Sequence, residues 1–211
     1  STLMQSLYFD IVPTSGEAYL QDYKSGEESI WQASAAEQRH IKNCIMGMVY
    51  QNPIRGLRME YSAASNIAEK LIAAGNRSAG HMTERAKELL SAVEILTSRM
   101  GEAPKNFSGG MQQRVQISKA LANNPSLLLL DEVTTGLDLS VQAKVLDLIR
   151  KIKAKYGISI LLVSHDLAVI RMLADRTVVM LDGKIIESGL TDQILEDPQH
   201  AYTQQLVHSL L

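Results

Sequence analysis

The chain has 211 residues, 45% hydrophobic and 21% charged, enough for one domain, or a domain with a subdomain, around a sizeable core. A net charge of -2, a pI near 6.2 and an aromatic content of 5% argue against a dominant nucleic-acid or acidic-membrane footprint and leave few rings for stacking bases. A single cysteine, Cys44, permits no internal disulfide, no apolar run approaches the ~20 residues that span a bilayer, and no signal-peptide pattern opens the chain, so the expected location is the cytoplasm.

The first residues already follow a helical pattern, with Leu3, Leu7 and Ile11 at helical spacing until Pro13-Thr-Ser-Gly16 stops it. Residues 17–20 read as a short strand, Gly26 marks a loop, and residues 34–43 form a polar helix. Residues 44–50 are continuously apolar, as a buried parallel strand should be, and Pro53 blocks its continuation. Gln51 therefore lies at a strand's C-terminal edge, where open α/β sheets bind ligands. Residues 62–100 read as helices: Asn66, Ile67, Leu71 and Ile72 share one face, and residues 83–90 give another with Thr83 as N-cap. The stretch is a helical insertion between two core strands.

Residues 106–121 and 127–132 then organise the chain. Ser108-Gly-Gly110 opens a helix whose backbone N–H groups and macrodipole suit phosphate. Asp131 and Glu132 close an apolar strand, the arrangement that a phosphate-bound metal and an attacking water require. Each half alone matches a capped helix or a strand-ending acid pair; in tandem they point to nucleotide chemistry. A helix over 140–155, Gly157, a strand over 158–163, Ser164-His-Asp166 and a helix over 167–173 come next, an alternation that implies parallel strands. Residues 177–181 and 184–188 form a hairpin about Asp182-Gly183, a pair suited to a type I′ turn, and two short helices, 191–196 and 201–211, end the chain.

Phe107-Ser-Gly-Gly-Met-Gln112, the strand ending at Asp131-Glu132, Gln51, Gly136-Leu-Asp138 and His165 together resemble the motifs of ATP-binding cassette (ABC) ATPases. The resemblance implies an α/β, P-loop NTPase-like parallel sheet with covering helices. Its core would span residues 1–55 and 125–211, and a helical signature subdomain residues 56–124. It implies ATP and Mg²⁺, with Asp131 on the metal, Glu132 polarising the attacking water, Gln51 reaching metal or water, and His165 on the γ-phosphate. Ser108, Gly109, Gly110 and Asp138 would serve ATP held by a second protomer, giving a head-to-tail dimer.

Three departures stand out. Met111 replaces the signature glutamine, Val133 replaces the usual proline after the catalytic glutamate, and no Gly-x-x-x-x-Gly-Lys-[Ser/Thr] is present. Ser1-Thr2-Leu3 matches the residues that come directly after the motif's lysine in the family. That match makes Ser1 the expected Mg²⁺-binding hydroxyl and places the phosphate loop, its strand and an N-terminal β-subdomain before residue 1. Residues 50–58, 107–117, 136–143 and 188–192 most resemble ATP-binding subunits of bacterial phosphonate carbon–phosphorus lyase systems. Residues 182–189 and 197–206 also resemble dipeptide, oligopeptide and nickel importer ATPases. The expected partner is the lyase core complex, or alternatively a membrane permease, and not nucleic acid; a third reading is a non-hydrolysing assembly or regulatory module. Residues 1–211 by themselves are expected to bind ATP weakly or not at all, and tight ATP binding in a calorimetric titration of this segment would overturn that expectation.

Overall fold

A strand whose residues are all leucine up to its final acid has no polar face to offer water, so it must be covered on both sides. Strands β1 (Met46–Val49), β2 (Leu127–Asp131) and β3 (Ser159–Val163) form a parallel sheet in that order, with β2 in the middle and Leu128, Leu129 and Leu130 fully buried. The computed structural model describes residues 1–209, and the fold separates into two compact units, Ser1–Val163 and a smaller one beginning at Ser164.

In the first unit, helix α1 (Thr2–Leu7) contributes Met4 and α2 (Ala35–His40) leads into a π-helical turn, Ile41–Ile45. Met4, Tyr8, Ile30, Ile41, Met46 and Leu129 share one core cluster. Between β1 and β2 lie α3 (Pro53–Gly56), α4 (Ala63–Ala73), α5 (Ala79–Ala92) and α6 (Gly109–Ala120); α4, α5 and α6 pack on one another, and α6 also packs on β1. Helix α7 (Leu139–Tyr156) buries Val145, Leu146, Leu148, Ile149 and Ile152, a stripe of helical period, before β3.

The second unit begins with α8 (Leu167–Leu173), followed by the antiparallel hairpin β4 (Arg176–Leu181) and β5 (Lys184–Leu190). Its turn residues Asp182 and Gly183 have φ of 50° and 75°, as a type I′ turn demands. Helices α9 (Thr191–Glu196) and α10 (Ala201–His208) complete it; residue 211, the expected end of the last helix, lies outside the described residues. Among the described residues no helix is long and apolar enough to cross a membrane.

Five local expectations are corrected. Helix α1 stops at Leu7, with Phe9 at φ 60°, and its buried stripe is Met4 and Tyr8 while Leu3 and Ile11 are exposed. Residues 17–20 are extended but join no sheet: the Ala18 N–H instead donates to the Ser29 hydroxyl (3.2 Å), and the Ala18 carbonyl accepts from the Ile30 N–H (2.8 Å). The strand expected over 44–50 covers only Met46–Val49, because Cys44 and Ile45 belong to the π-helical turn. Helix α5 is capped five residues before Thr83, by Ser78 accepting from the His81 N–H (3.3 Å), and the Thr83 hydroxyl bonds the Ala79 carbonyl within the helix. On α4, Asn66, Ile67 and Leu71 are buried but Ile72 is 48% exposed. Truncating Leu129 to Ala should accordingly cost about 2–5 kcal/mol in urea unfolding, and Ile72→Ala less than about 1 kcal/mol.

Candidate functional site

Parallel pairing decides which residues share an edge. Val49 pairs with Leu130, so Gln51 and Glu132 each sit two residues beyond the same rung, at the C-terminal edge of the sheet. Gln51 Nε2 donates to Glu132 Oε2 at 3.0 Å, and Thr135 Oγ1 lies 3.2 Å from the same oxygen. The Glu132 N–H donates to the Val163 carbonyl at 2.9 Å, extending the β2–β3 ladder by one bond.

Glu132 itself has φ of 49°, a left-handed conformation that costs a non-glycine residue on the order of 1 kcal/mol. Bonds on both backbone and side chain hold it there. Val133 is 2% exposed, and Thr135 N–H to Glu132 carbonyl (3.2 Å) and Leu137 N–H to Thr134 carbonyl (3.2 Å) close the turn without a proline.

Asp131 is buried, at 7% exposure, and beside it lies Ser1, whose hydroxyl N-caps α1 by accepting from the Met4 N–H at 3.4 Å. The fold thus joins Ser1, Gln51, Asp131 and Glu132 in one corner. Its donors are hard oxygens: a carboxylate, a hydroxyl, and the Gln51 carbonyl oxygen, left over once the amide nitrogen donates to Glu132. Among the described residues no three His, Cys, Asp or Glu side chains cluster as a metal cage. Such a set fits Mg²⁺, which takes one or two carboxylates and completes its shell with water and phosphate oxygens, better than Zn²⁺ or Ca²⁺.

The other half of the organising stretch opens α6. Ser108 and Gly109 are exposed, and Ser108 Oγ accepts from the Met111 N–H at 3.4 Å. Gly110 is buried against α7: a Cβ there would lie 2.3 Å from Val141 Cγ1. Asp138 Oδ1 caps α7 by accepting from the Val141 N–H at 2.9 Å, so Val141 links the Gly110 turn to Asp138. Met111 receives Arg99 Nη1 on its sulfur at 3.5 Å, while Gln112 Nε2 donates to the Pro104 and Phe107 carbonyls at 3.0 and 3.1 Å. His165 belongs to the second unit, exposed in a turn where Ser164 Oγ accepts from the Asp166 N–H (3.0 Å) and Asp166 caps α8.

Sequence reasoning missed Gln113 and Gln116. Both lie on α6, 2% and 1% exposed, and together they bind the backbone of Tyr50, the residue before Gln51. Gln116 Oε1 accepts from the Tyr50 N–H (2.8 Å), its Nε2 donates to the Tyr50 carbonyl (3.0 Å), and Gln113 Nε2 donates to that carbonyl at 3.3 Å. A Cβ on residue 56 would stand 2.2 Å from Gln116 Oε1, which explains glycine there. Two amides three residues apart on a packed helix could have signalled buried partners, but not which ones. Replacing Gln116 by Leu should cost about 1–3 kcal/mol in urea unfolding, because both Tyr50 backbone groups lose a partner.

The chain is similar to known proteins of one family. Residues 1–135 match the family described as ABC transporter. The chain is 43% identical over 211 residues, all of this chain and 82% of the relative, to the putative phosphonates utilization ATP-binding protein PhnK of Escherichia coli (strain K12). It is 40% identical over 179 residues, 84% of this chain and 50% of the relative, to the oligopeptide transport ATP-binding protein OppD of Bacillus subtilis (strain 168). Among solved structures, the dimeric ATP-binding cassette MJ0796 bound to ADP and Pi matches with a TM-score of 0.76 and 29% identity, covering 90% of this chain and 79% of that one. With the parallel sheet, the helix-opening Ser-Gly-Gly turn and the paired acids in place, the chain belongs to the ABC transporter family, as an ATP-binding subunit.

Proposed function

We propose that this subunit hydrolyses ATP with Mg²⁺ in an assembly serving phosphonate utilisation. The observation that carries the hydrolytic reading is the Gln51–Glu132 hydrogen bond of 3.0 Å beside buried Asp131, at the edge where β1 and β2 end together. Ser1 Oγ, Asp131 and the Gln51 carbonyl oxygen hold the metal, directly or through water. Bound there, Mg²⁺ supplies charge neutralisation for the phosphates in the transition state. Glu132, fixed by Gln51 and Thr135, accepts a hydrogen bond from the attacking water and orients it. His165 contacts the γ-phosphate, and Ser108, Gly109, Gly110 and Asp138 contact ATP held mainly by a second protomer. The exposed Ser108-Gly109 turn, anchored through Gly110, and the dimeric cassette bound to ADP and Pi support this trans arrangement.

The similarity to PhnK across all 211 residues supports the phosphonate reading, with the carbon–phosphorus lyase core complex as partner. A second reading, the ATPase of an oligopeptide-type importer docked on a permease, is favoured by the 40% identity to OppD over 179 residues. A Glu132→Gln variant of the intact protein should keep ATP binding and its melting temperature while turnover falls by about 10²-fold or more, as when a positioned general base is removed. Hydrolysis at the parent rate would remove Glu132 from this role, and an intact protein that binds ATP without turning it over would favour a non-hydrolysing module. Affinity capture from cells separates the partners: lyase subunits support the phosphonate reading, and a permease replaces it with the importer.

A further inference from the structure

A solvent-open cavity of about 230 Å³ lies in the first unit, away from the acids at the sheet edge. Its wall includes Tyr8, Lys42, Tyr50, Arg55, Lys70 and Lys119. Lys70, on α4, is the unusual member, because at 9% exposure it is an ammonium taken almost wholly out of water. Its Nζ donates to the Tyr8 hydroxyl (3.0 Å) and to the Lys42 carbonyl, both neutral acceptors. An ammonium carries three N–H donors, so two bonds leave one over.

Counter-charge is scarce around it. The nearby carboxylates are already engaged: Asp10 with Lys42 at 2.7 Å, and Glu69 with Lys119 at 2.7 Å. Burial, then Tyr50 and Asp10, push the Tyr8 hydroxyl above its ordinary pKa, so it stays protonated and supplies no negative charge. Arg55 adds a further cation, lying over the Tyr50 ring at 5.1 Å. Burial first, and the positive charges of Lys119 and Lys42 next, lower the Lys70 pKa to about 8. Burying a charge without an opposite one is unfavourable unless a ligand supplies the partner. An open cavity lined by Lys42, Arg55, Lys70 and Lys119, with Glu69 the one carboxylate among its described residues and already bonded to Lys119, is where such a partner enters.

We propose that this cavity binds a small tetrahedral oxyanion of the sulfate or phosphate class, accepting the spare Lys70 N–H and neutralising the surrounding cations. The cavity shares Tyr50 and Gln116 with the support of Gln51, but sulfate binding is read separately from ATP turnover, so the proposal stands or falls apart from the hydrolytic reading. The charged and titratable groups that line the cavity, act on Lys70 or pair with these are Tyr8, Asp10, Lys42, Cys44, Tyr50, Arg55, Arg58, Glu69 and Lys119. Binding requires the protonated Lys70, so affinity is full below its pKa and declines as pH rises through about 8.

Sodium sulfate, whose charge is constant across the neutral and mildly alkaline range, is the probe, titrated calorimetrically into the intact protein at fixed ionic strength. The expected result is saturable binding near neutrality, about tenfold weaker one pH unit above the Lys70 pKa. That decline should persist in Cys44→Ser. Lys70→Met should lose binding at least tenfold while its melting temperature stays level or rises, since an unpaired buried charge is removed. Arg55→Gln, at an exposed position that does not carry the fold, should weaken binding severalfold, and Lys144→Met, at an exposed position of α7, should leave it unchanged. An absence of saturable heat overturns the proposal. So does uptake undiminished in both Lys70→Met and Arg55→Gln, which would place the ion elsewhere, or sulfate refusal with Lys70 paired instead to a carboxylate of a partner protein.

Discussion

The parallel register of three short strands is the constraint on which the rest depends. In an antiparallel pair the C-terminal ends point opposite ways; here they coincide, and the polar groups just past β1 and β2 emerge at one edge. The leucines face both sides of the sheet, so register is marked by the end of the apolar run: a one-residue slip of β2 would bring Asp131 to the position where Leu130 packs. Gln51 and Glu132, 81 residues apart, meet at hydrogen-bonding distance because of that pairing.

Glu132 shows how a strained residue is kept. Its left-handed backbone is disfavoured by sterics, yet its N–H continues the β2–β3 ladder and its carboxylate takes bonds from two side chains. Each contact is individually modest, worth about 0.5–1.5 kcal/mol net. Their sum exceeds the strain, so the carboxylate is held in one orientation before any substrate arrives. Such preorganisation is what makes a polarising group effective, since little reorganisation is left for the reaction itself.

Helix α6 serves two ends at once. Its first turn exposes Ser108 and Gly109, and its middle turns clamp Tyr50 through Gln113 and Gln116. The same helix supplies Lys119, which bonds the Gly56 carbonyl (2.9 Å) and Glu69, closing one side of the cationic cavity. The Ser108-Gly109 turn and the Tyr50 clamp thus belong to one continuous helix. The chain meets the cost of these buried amides by pairing their polar atoms with the Tyr50 backbone and with each other.

Local chemistry settled much of this protein before tertiary structure entered. The all-leucine strand, the Asp182-Gly183 turn, the Ser108 cap and the helix over Leu167–Leu173 are legible because short-range sterics, hydrogen bonding and hydrophobic period specify them. The motif residues are legible too, since acids after an apolar strand and glycines before a helix carry their chemistry in their neighbours. The illegible parts depend on distant partners. Residues 17–20 have strand composition but no neighbouring strand to pair with, and Met4 and Tyr8, not Leu3, find the core because Ile30, Ile41 and Met46 lie on that side. The Tyr50 clamp and the uncompensated Lys70 likewise exist only once α6 and α4 are packed. Hydrogen bonds and buried charges are properties of pairs, and a linear sequence names only one member of each.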